Sequence, residues 1–109
     1  MSNKKIFVVC YAHSSVETFA DSLEKRVRAK VDRLIALLSY SGPTLGMPFS
    51  KKVAPKLYEL RILGSPNVRF FYAFSGNTIW LVHGISKKRD AIPAKDIALA
   101  LKRLSLLRI

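Results

Sequence analysis

Acid is what this sequence has least of. Seven Asp and Glu stand against 19 Lys and Arg, a net charge of +12 in 109 residues. A nuclease that holds Mg²⁺ needs clustered carboxylates. Here only Glu59 and Asp90 lie near the main basic stretch, and they are not at ligand spacing. Histidine is as scarce: His13 and His83 are the whole supply, with no HExxH or Cys/His pattern, so no metal site and no cofactor is expected. Cys10 is the single cysteine and sits in an apolar run, which excludes an internal disulfide framework and fits a reducing cytosol. No glycine-rich phosphate loop occurs. No stretch approaches the ~20 apolar residues of a membrane span. Lys4-Lys5 before Ile6–Ala12 faintly mimics a signal peptide, but the run is short and no small-residue cleavage site follows, so a strand is expected there.

What is present is a core and a large positive charge. Half of the residues are hydrophobic, which argues against disorder, and the length suits one domain spanning 1–109. The charge argues for a polyanionic partner: RNA, DNA, a membrane surface or an acidic protein. Ile6–Tyr11 reads as a strand buried on both faces. Ser14 and Glu17 fit a capping box. From Val16 to Leu38 apolar residues recur at helical spacing, with Glu24 and Arg28 as an i,i+4 pair, giving one long helix or two bent near Ser22–Arg26. Ser41-Gly42-Pro43 stops it, and Thr44–Lys56 reads as a loop. Pro93 suits the first residue of a closing helix with Ile97, Leu101 and Leu104 as its stripe, ending near Leu107. The order is β-α(α)-β-β-β-α, an α+β domain whose sheet is mostly antiparallel.

The informative stretch is Leu57–Arg89. Runs Leu57–Leu63, Val68–Phe74 and Thr78–Ile85 are aromatic and β-branched, separated by Gly64-Ser65-Pro66-Asn67 and Ser75-Gly76-Asn77. A three-stranded meander follows. Side chains alternate across a strand, so Glu59 and Arg61 share a face. With a three-residue second loop, Phe74 pairs with Thr78 and Arg69 lies opposite His83. Arg61 joins that face if the first loop is odd in length, and a one-residue slip removes it.

That face has the parts for metal-free RNA cleavage. A ribose 2′-hydroxyl attacking its own 3′ phosphate needs a base, an acid and cations around the growing charge. Arg61 and Arg69 suit phosphate oxygens through their planar forks. His83, Lys87 and Lys88 can carry protons or charge, and Lys51, Lys52, Lys56 and Arg89 can hold RNA phosphates. Each has a plainer reading: Arg61 paired with Glu59, His83 satisfied within a half-buried strand, Lys87-Lys88-Arg89 a charged turn. Phe71 and Tyr72 can stack on bases or fill a core, and core packing accounts for most of the aromatic residues here.

Leu57-Tyr58-Glu59-Leu60-Arg61, Val68-Arg69-Phe70-Phe71-Tyr72, and Trp80-Leu81-Val82-His83-Gly84 with Lys87-Lys88 and Pro93 resemble the phage-derived, HigB-type branch of the RelE superfamily of bacterial toxins. Val16–Asp21 is similar to the family's first helix and Leu45-Gly46-Met47-Pro48 to its central loop. The resemblance implies a RelE-like fold with an N-terminal helical pair and a C-terminal helix. It also implies a type II toxin that cuts mRNA, usually on the ribosome and without metal, silenced by an antitoxin with an acidic segment from the same operon. Arg61, Arg69, Lys87 and Lys88 match the family's basic positions. Related toxins often carry a tyrosine or other catalytic residue near the C-terminus; no tyrosine or histidine follows His83 here, so the resemblance assigns no general base.

The expectation is therefore a cytoplasmic, ribosome-dependent endoribonuclease toxin. Its rivals are a non-catalytic basic RNA- or ribosome-binding module and, with no recognition helix in evidence, a DNA-binding regulator.

Overall fold

The computed structural model describes residues 6–64, 66–87 and 91–109. Lys88, Arg89 and Asp90, singled out above, lie outside the described residues.

Two helices follow the first strand. The strand is β1 (Val8–Tyr11), and the helices are α1 (Ser14–Ser22) and α2 (Lys25–Ser41). The break falls at Leu23, whose backbone is extended (φ −72°, ψ 144°). Arg28 ties the pair together, reaching Asp21 at 2.9 Å and Asp32 at 3.0 Å. Glu24 serves instead as the α2 N-cap position, so the expected Glu24–Arg28 side-chain pair gives way to this clasp. The expected Ser14/Glu17 capping box is also replaced: His13 is the N-cap and its Nδ1 accepts from the Ser15 amide at 3.1 Å. Gly42 ends α2 with φ +55°, and its bare Cα faces the Phe7 ring, where a Cβ would collide.

The sheet has five strands in the order β1-β5-β4-β3-β2, with β2 (Ser50–Ala54), β3 (Leu57–Ile62), β4 (Asn67–Ser75) and β5 (Thr78–Lys87). Among the described residues only the β1–β5 pair is parallel. The fold is α+β, as composition and pattern indicated, but two details differ. The expected loop over Thr44–Lys56 contains β2, an edge strand whose exposed Lys51 and Lys52 hide its pattern. Lysines on an edge discourage further strand pairing. And β1 is the other edge rather than a strand buried on both faces: Val8 is 56% exposed, because nothing covers its outer side among the described residues.

Two cores lie on opposite faces of the sheet. Leu60, Ile62, Val68, Phe70, Tyr72, Ile79 and Leu81 pack against Val16, Ala20, Val27, Val31 and Leu38 of the helical pair. Leu57, Phe71 and Val82 pack against Ala100 of α3 (Ala94–Leu106), with Ile97 and Leu104 beside it. Leu101, expected in that stripe, is turned outward, and Pro93 is the N-cap rather than the first helical residue.

The hairpins decide which side chains share a face. Ile62 pairs with Val68, so the first loop is odd and Arg61 meets Arg69. The second turn is shorter than expected: Ser75 pairs with Thr78. That slip alone would send His83 to the helical-pair face. A bulge reverses it. Tyr72 pairs with Leu81 but Phe71 with His83, leaving Val82 as the extra residue. Arg69 therefore lies opposite Ile85 rather than His83, while Arg61, Arg69 and His83 still share the α3 face.

Two consequences are measurable. A Cβ on Gly84 would lie 2.5 Å from Phe19 Cδ2 and 3.1 Å from Phe70 Cε1. Phe19 and Phe70 already pack ring on ring at 5.5 Å. Gly84→Ala is expected to lower stability by about 1–3 kcal/mol, read as a lower denaturation midpoint. Tyr72 is buried and shares a hydrogen bond with the Ser50 hydroxyl, which ties β2 to the core. Burial raises its phenol above the ordinary value, an effect the Ser50 hydrogen bond opposes. The folded chain then holds this proton more tightly than the unfolded one. The contribution is intact below a pH of about 10 and is lost as pH rises above it. Tyr72→Phe is expected to cost about 1 kcal/mol at neutral pH but to flatten the alkaline fall in stability, measured by urea unfolding at a series of pH values.

Candidate nucleic-acid interface

Strand β3 places one carboxylate between two arginines. Glu59 and Arg61 alternate onto the α3 face, and Arg69 sits across from Arg61 on β4. Glu59 is 5% exposed and Arg69 only 2%. A carboxylate so far from water is costly unless paired. Arg69 Nε donates to Glu59 Oε1 at 2.9 Å, and Arg69 Nη1 donates to the Val68 carbonyl at 3.0 Å. Arg61 Nε stands 3.6 Å from the same Glu59 oxygen, and its Nη1 meets the Met47 sulfur at 3.3 Å.

The two arginines thus differ in kind. Arg61 keeps part of its guanidinium at the surface, its side chain 24% exposed. Arg69 lies beneath, a brace for Glu59, and the expectation that it touches phosphate directly is corrected by its burial. The plain reading of Arg61, an ion pair with Glu59, is present at 3.6 Å, while the outer edge of the guanidinium faces solvent.

His83 stacks on Phe71 with ring centroids 5.8 Å apart. Its Nε2 is 2.8 Å from Asp96 Oδ1, and its Nδ1 is 3.4 Å from Arg103 Nη1. Arg103 also donates to the Val82 carbonyl at 3.0 Å, at the bulge. Both ring nitrogens are therefore engaged by α3, not by backbone. The arrangement fits an imidazole that clamps helix to strand better than a freely exchanging proton carrier.

Beside this clamp an open groove of about 530 Å³ is lined by Ile85, Lys87, Pro93, Lys95 and Asp96 among others. Lys87 is 8% exposed, with its side chain set into the groove wall. Lys95 is exposed at the start of α3. Arg61, Arg69 and Ile85 sit at one level of β3, β4 and β5. Arg61 therefore lies two strand spacings, about 10 Å, from the groove on the same face. Lys51 shares Glu59's level, while Lys52 pairs with Tyr58 on the helical-pair side, and Lys56 is in the β2–β3 turn. The three lysines are exposed but do not converge on one point. Lys88 and Arg89 lie outside the described residues. Phe71 and Tyr72 are both fully buried, so neither is available to stack on bases.

Asp96, Arg103 and Lys95 were not legible as site residues. Asp96 and Arg103 are seven residues apart, two helical turns, which puts them on one side of α3. That spacing is a usable signal only once β5 is known to run beneath. Among the described residues no three His, Cys, Asp or Glu side chains gather as a metal site would require. No helix among them is long and apolar enough to cross a membrane.

No curated protein matches the chain. Residues 18–105 match the family described as "Phage derived protein Gp49-like (DUF891)". The match begins inside α1 and runs almost to the end of α3, so it takes in the Glu59–Arg61–Arg69 cluster, the His83 clamp and the lysine-lined groove. This chain belongs to the phage-derived Gp49-like family, part of the RelE/ParE toxin-like superfamily, whose members are associated with toxin-like proteins of toxin–antitoxin systems.

Proposed function

We propose that the chain, taken as one RelE-like domain of the HigB-like branch, is a toxin that cleaves mRNA on the ribosome without metal and is silenced by its antitoxin. The observation that carries this reading is the shared face: Arg61, the Lys87/Lys95 groove and Asp96 stand together on one side of the sheet. A net charge of +12 supports a polyanionic substrate, and its binding should weaken steeply with salt as counterions are released.

The chemistry is assigned residue by residue. Arg61 contacts the scissile phosphate and balances the charge that grows on its oxygens. Glu59 and buried Arg69 hold Arg61 in place. The 2′-hydroxyl attacks the adjacent phosphorus while its proton passes to the Asp96 carboxylate, which His83 orients through Nε2. The bond to the 5′-oxygen breaks, and an ammonium of Lys87 or Lys95 supplies the proton that oxygen needs. Lys88 and Arg89 adjoin these residues in sequence and add to the positive charge of the segment in this reading. The products are a 2′,3′-cyclic phosphate and a 5′-hydroxyl.

The second reading is a basic RNA- or ribosome-binding module without catalysis. The occupied ring of His83 favours it, since the one strand histidine is committed to a structural clamp. Cleavage is what separates the two.

Arg61→Ala is expected to lower cleavage by about 10²–10³ and to relieve growth arrest, with a thermal midpoint near that of the parent chain. A folded variant that still arrests growth at the parent dose would remove Arg61 from the site. Cleavage of a minimal RNA is expected to persist in EDTA and to leave cyclic or 3′-phosphate ends, scored by mapping termini after brief induction. Termini with 3′-hydroxyls would instead mean metal-type hydrolysis.

A further inference from the structure

The guanidinium on which the cation face depends is loosely held. Arg69 Nε takes Glu59 Oε1 at 2.9 Å, which leaves Arg61 Nε at 3.6 Å from the same oxygen. That nitrogen is buried and has no hydrogen-bond partner among the described residues. Farther out, Arg61 Nη1 meets the Met47 sulfur at 3.3 Å. A guanidinium carries five N–H donors, and a thioether is a weak acceptor. Arg61 is thus short of acceptors, as a receptor for phosphate oxygens needs to be.

The backbone that carries Met47 is fixed to β3. The Phe49 and Ser50 amides donate to the Gly46 carbonyl at 3.0 and 3.1 Å, and the Phe49 carbonyl accepts the Arg61 amide at 2.8 Å. Ser50 is buried, and the Phe49 ring lines an apolar groove with Leu37 and Leu63 on the other side of the sheet. Met47 itself is 62% exposed, and a Cβ on the neighbouring Gly46 would meet nothing within 4 Å. Solvent therefore reaches this side chain while its sulfur rests against the guanidinium. A methionine that merely filled a gap in the core would show the opposite, a covered sulfur among apolar groups.

We propose that Met47 is a site of reversible oxidation whose sulfoxide withdraws Arg61 from phosphate; the inference rests on the reading in which Arg61 contacts the scissile phosphate. The oxidant is a peroxide. A sulfur lone pair forms the S–O bond as the O–O bond of hydrogen peroxide breaks. The proton left on the new S–OH passes to the departing hydroxide, giving water. Sulfur loses two electrons and the peroxide gains them. The product presents a polar oxygen one bond beyond the sulfur, and Arg61 Nη1 donates to it. A hydrogen bond from a charged donor is roughly twice as strong as a neutral one. The N–H that a phosphate needs is then occupied from within the protein. Reduction by two thiols, which become a disulfide while the oxygen leaves as water, restores the thioether and frees the cation. Cys10 can also be oxidised, but β1 stands three strands away from β3, so that change does not touch Arg61.

The test treats the purified full chain with hydrogen peroxide and then removes the reagent. Peptide mass spectrometry locates the added oxygen, since the only two methionines are Met1 and Met47. Two rates are read on the same sample: labelling of Arg61 by the guanidinium reagent phenylglyoxal, and cleavage of mRNA on added ribosomes. With oxygen on Met47, both are expected to slow about tenfold and to recover with a methionine sulfoxide reductase and thiol. Met47→Leu keeps the bulk and cannot take the oxygen; it is expected to show the same two rates with and without peroxide, although Cys10 remains. Three results would each overturn the proposal: a Met47 that resists peroxide in the folded chain, a sulfoxide that leaves Arg61 labelling unchanged, or a Met47→Leu chain that still loses activity in peroxide. Labelling that slows with no accompanying change in cleavage would uphold the link between sulfoxide and Arg61 and overturn, instead, the role of Arg61 in the reaction.

Discussion

A carboxylate in the middle of a sheet is the constraint around which the α3 face is arranged. Glu59 is nearly shut off from water, so it must stay paired. Arg69 answers it from the next strand, buried to the same degree, and Arg61 completes the cluster from two residues away. Removing either buried partner would strand a charge, at a cost of about 3–5 kcal/mol. The same pairing fixes where Arg61 can stand. A basic chain with few acids has placed one of them where it organises two cations, and that is a use of scarcity rather than a balance of charge.

The bulge at Val82 is the second constraint. It lets β5 present Val82 and His83 on the same side, the first to the α3 core and the second to Asp96 and Arg103. Arg103 then caps the bulge carbonyl, so the irregular backbone is satisfied by the helix it positions. Helix α3 is docked by apolar contacts at Ala100 and by a polar clamp that flanks them, Asp96 in its first turn and Arg103 in its last. The groove that opens beside the clamp takes its walls from both β5 and α3.

These two constraints give the sheet different roles on its two faces. The α3 face combines cations, one carboxylate and an open groove. The helical-pair face is a large core with an apolar groove at its margin, beside Lys30 and Arg33. The loop before β2 touches both, through Met47 on Arg61 and Phe49 on the second groove. The cation face and the apolar groove are thereby connected through one short segment.

Periodicity alone determined much of this. Helical spacing from Val16 to Leu38, as one helix or two, and three aromatic strands with Arg61, Arg69 and His83 along them follow from local rules of 3.6 and 2 residues per repeat. Tertiary structure decided what local rules cannot reach. β2 escaped notice because an edge strand bearing Lys51 and Lys52 has no buried alternation to reveal it. Arg69 became a brace because burial depends on what packs above it. The face of His83 depended on two one-residue steps, a shorter turn and a bulge, whose effects on parity cancel. Asp96 and Arg103 acquired meaning only when α3 was laid over β5, since contacts between distant segments leave no spacing in the chain by which to read them.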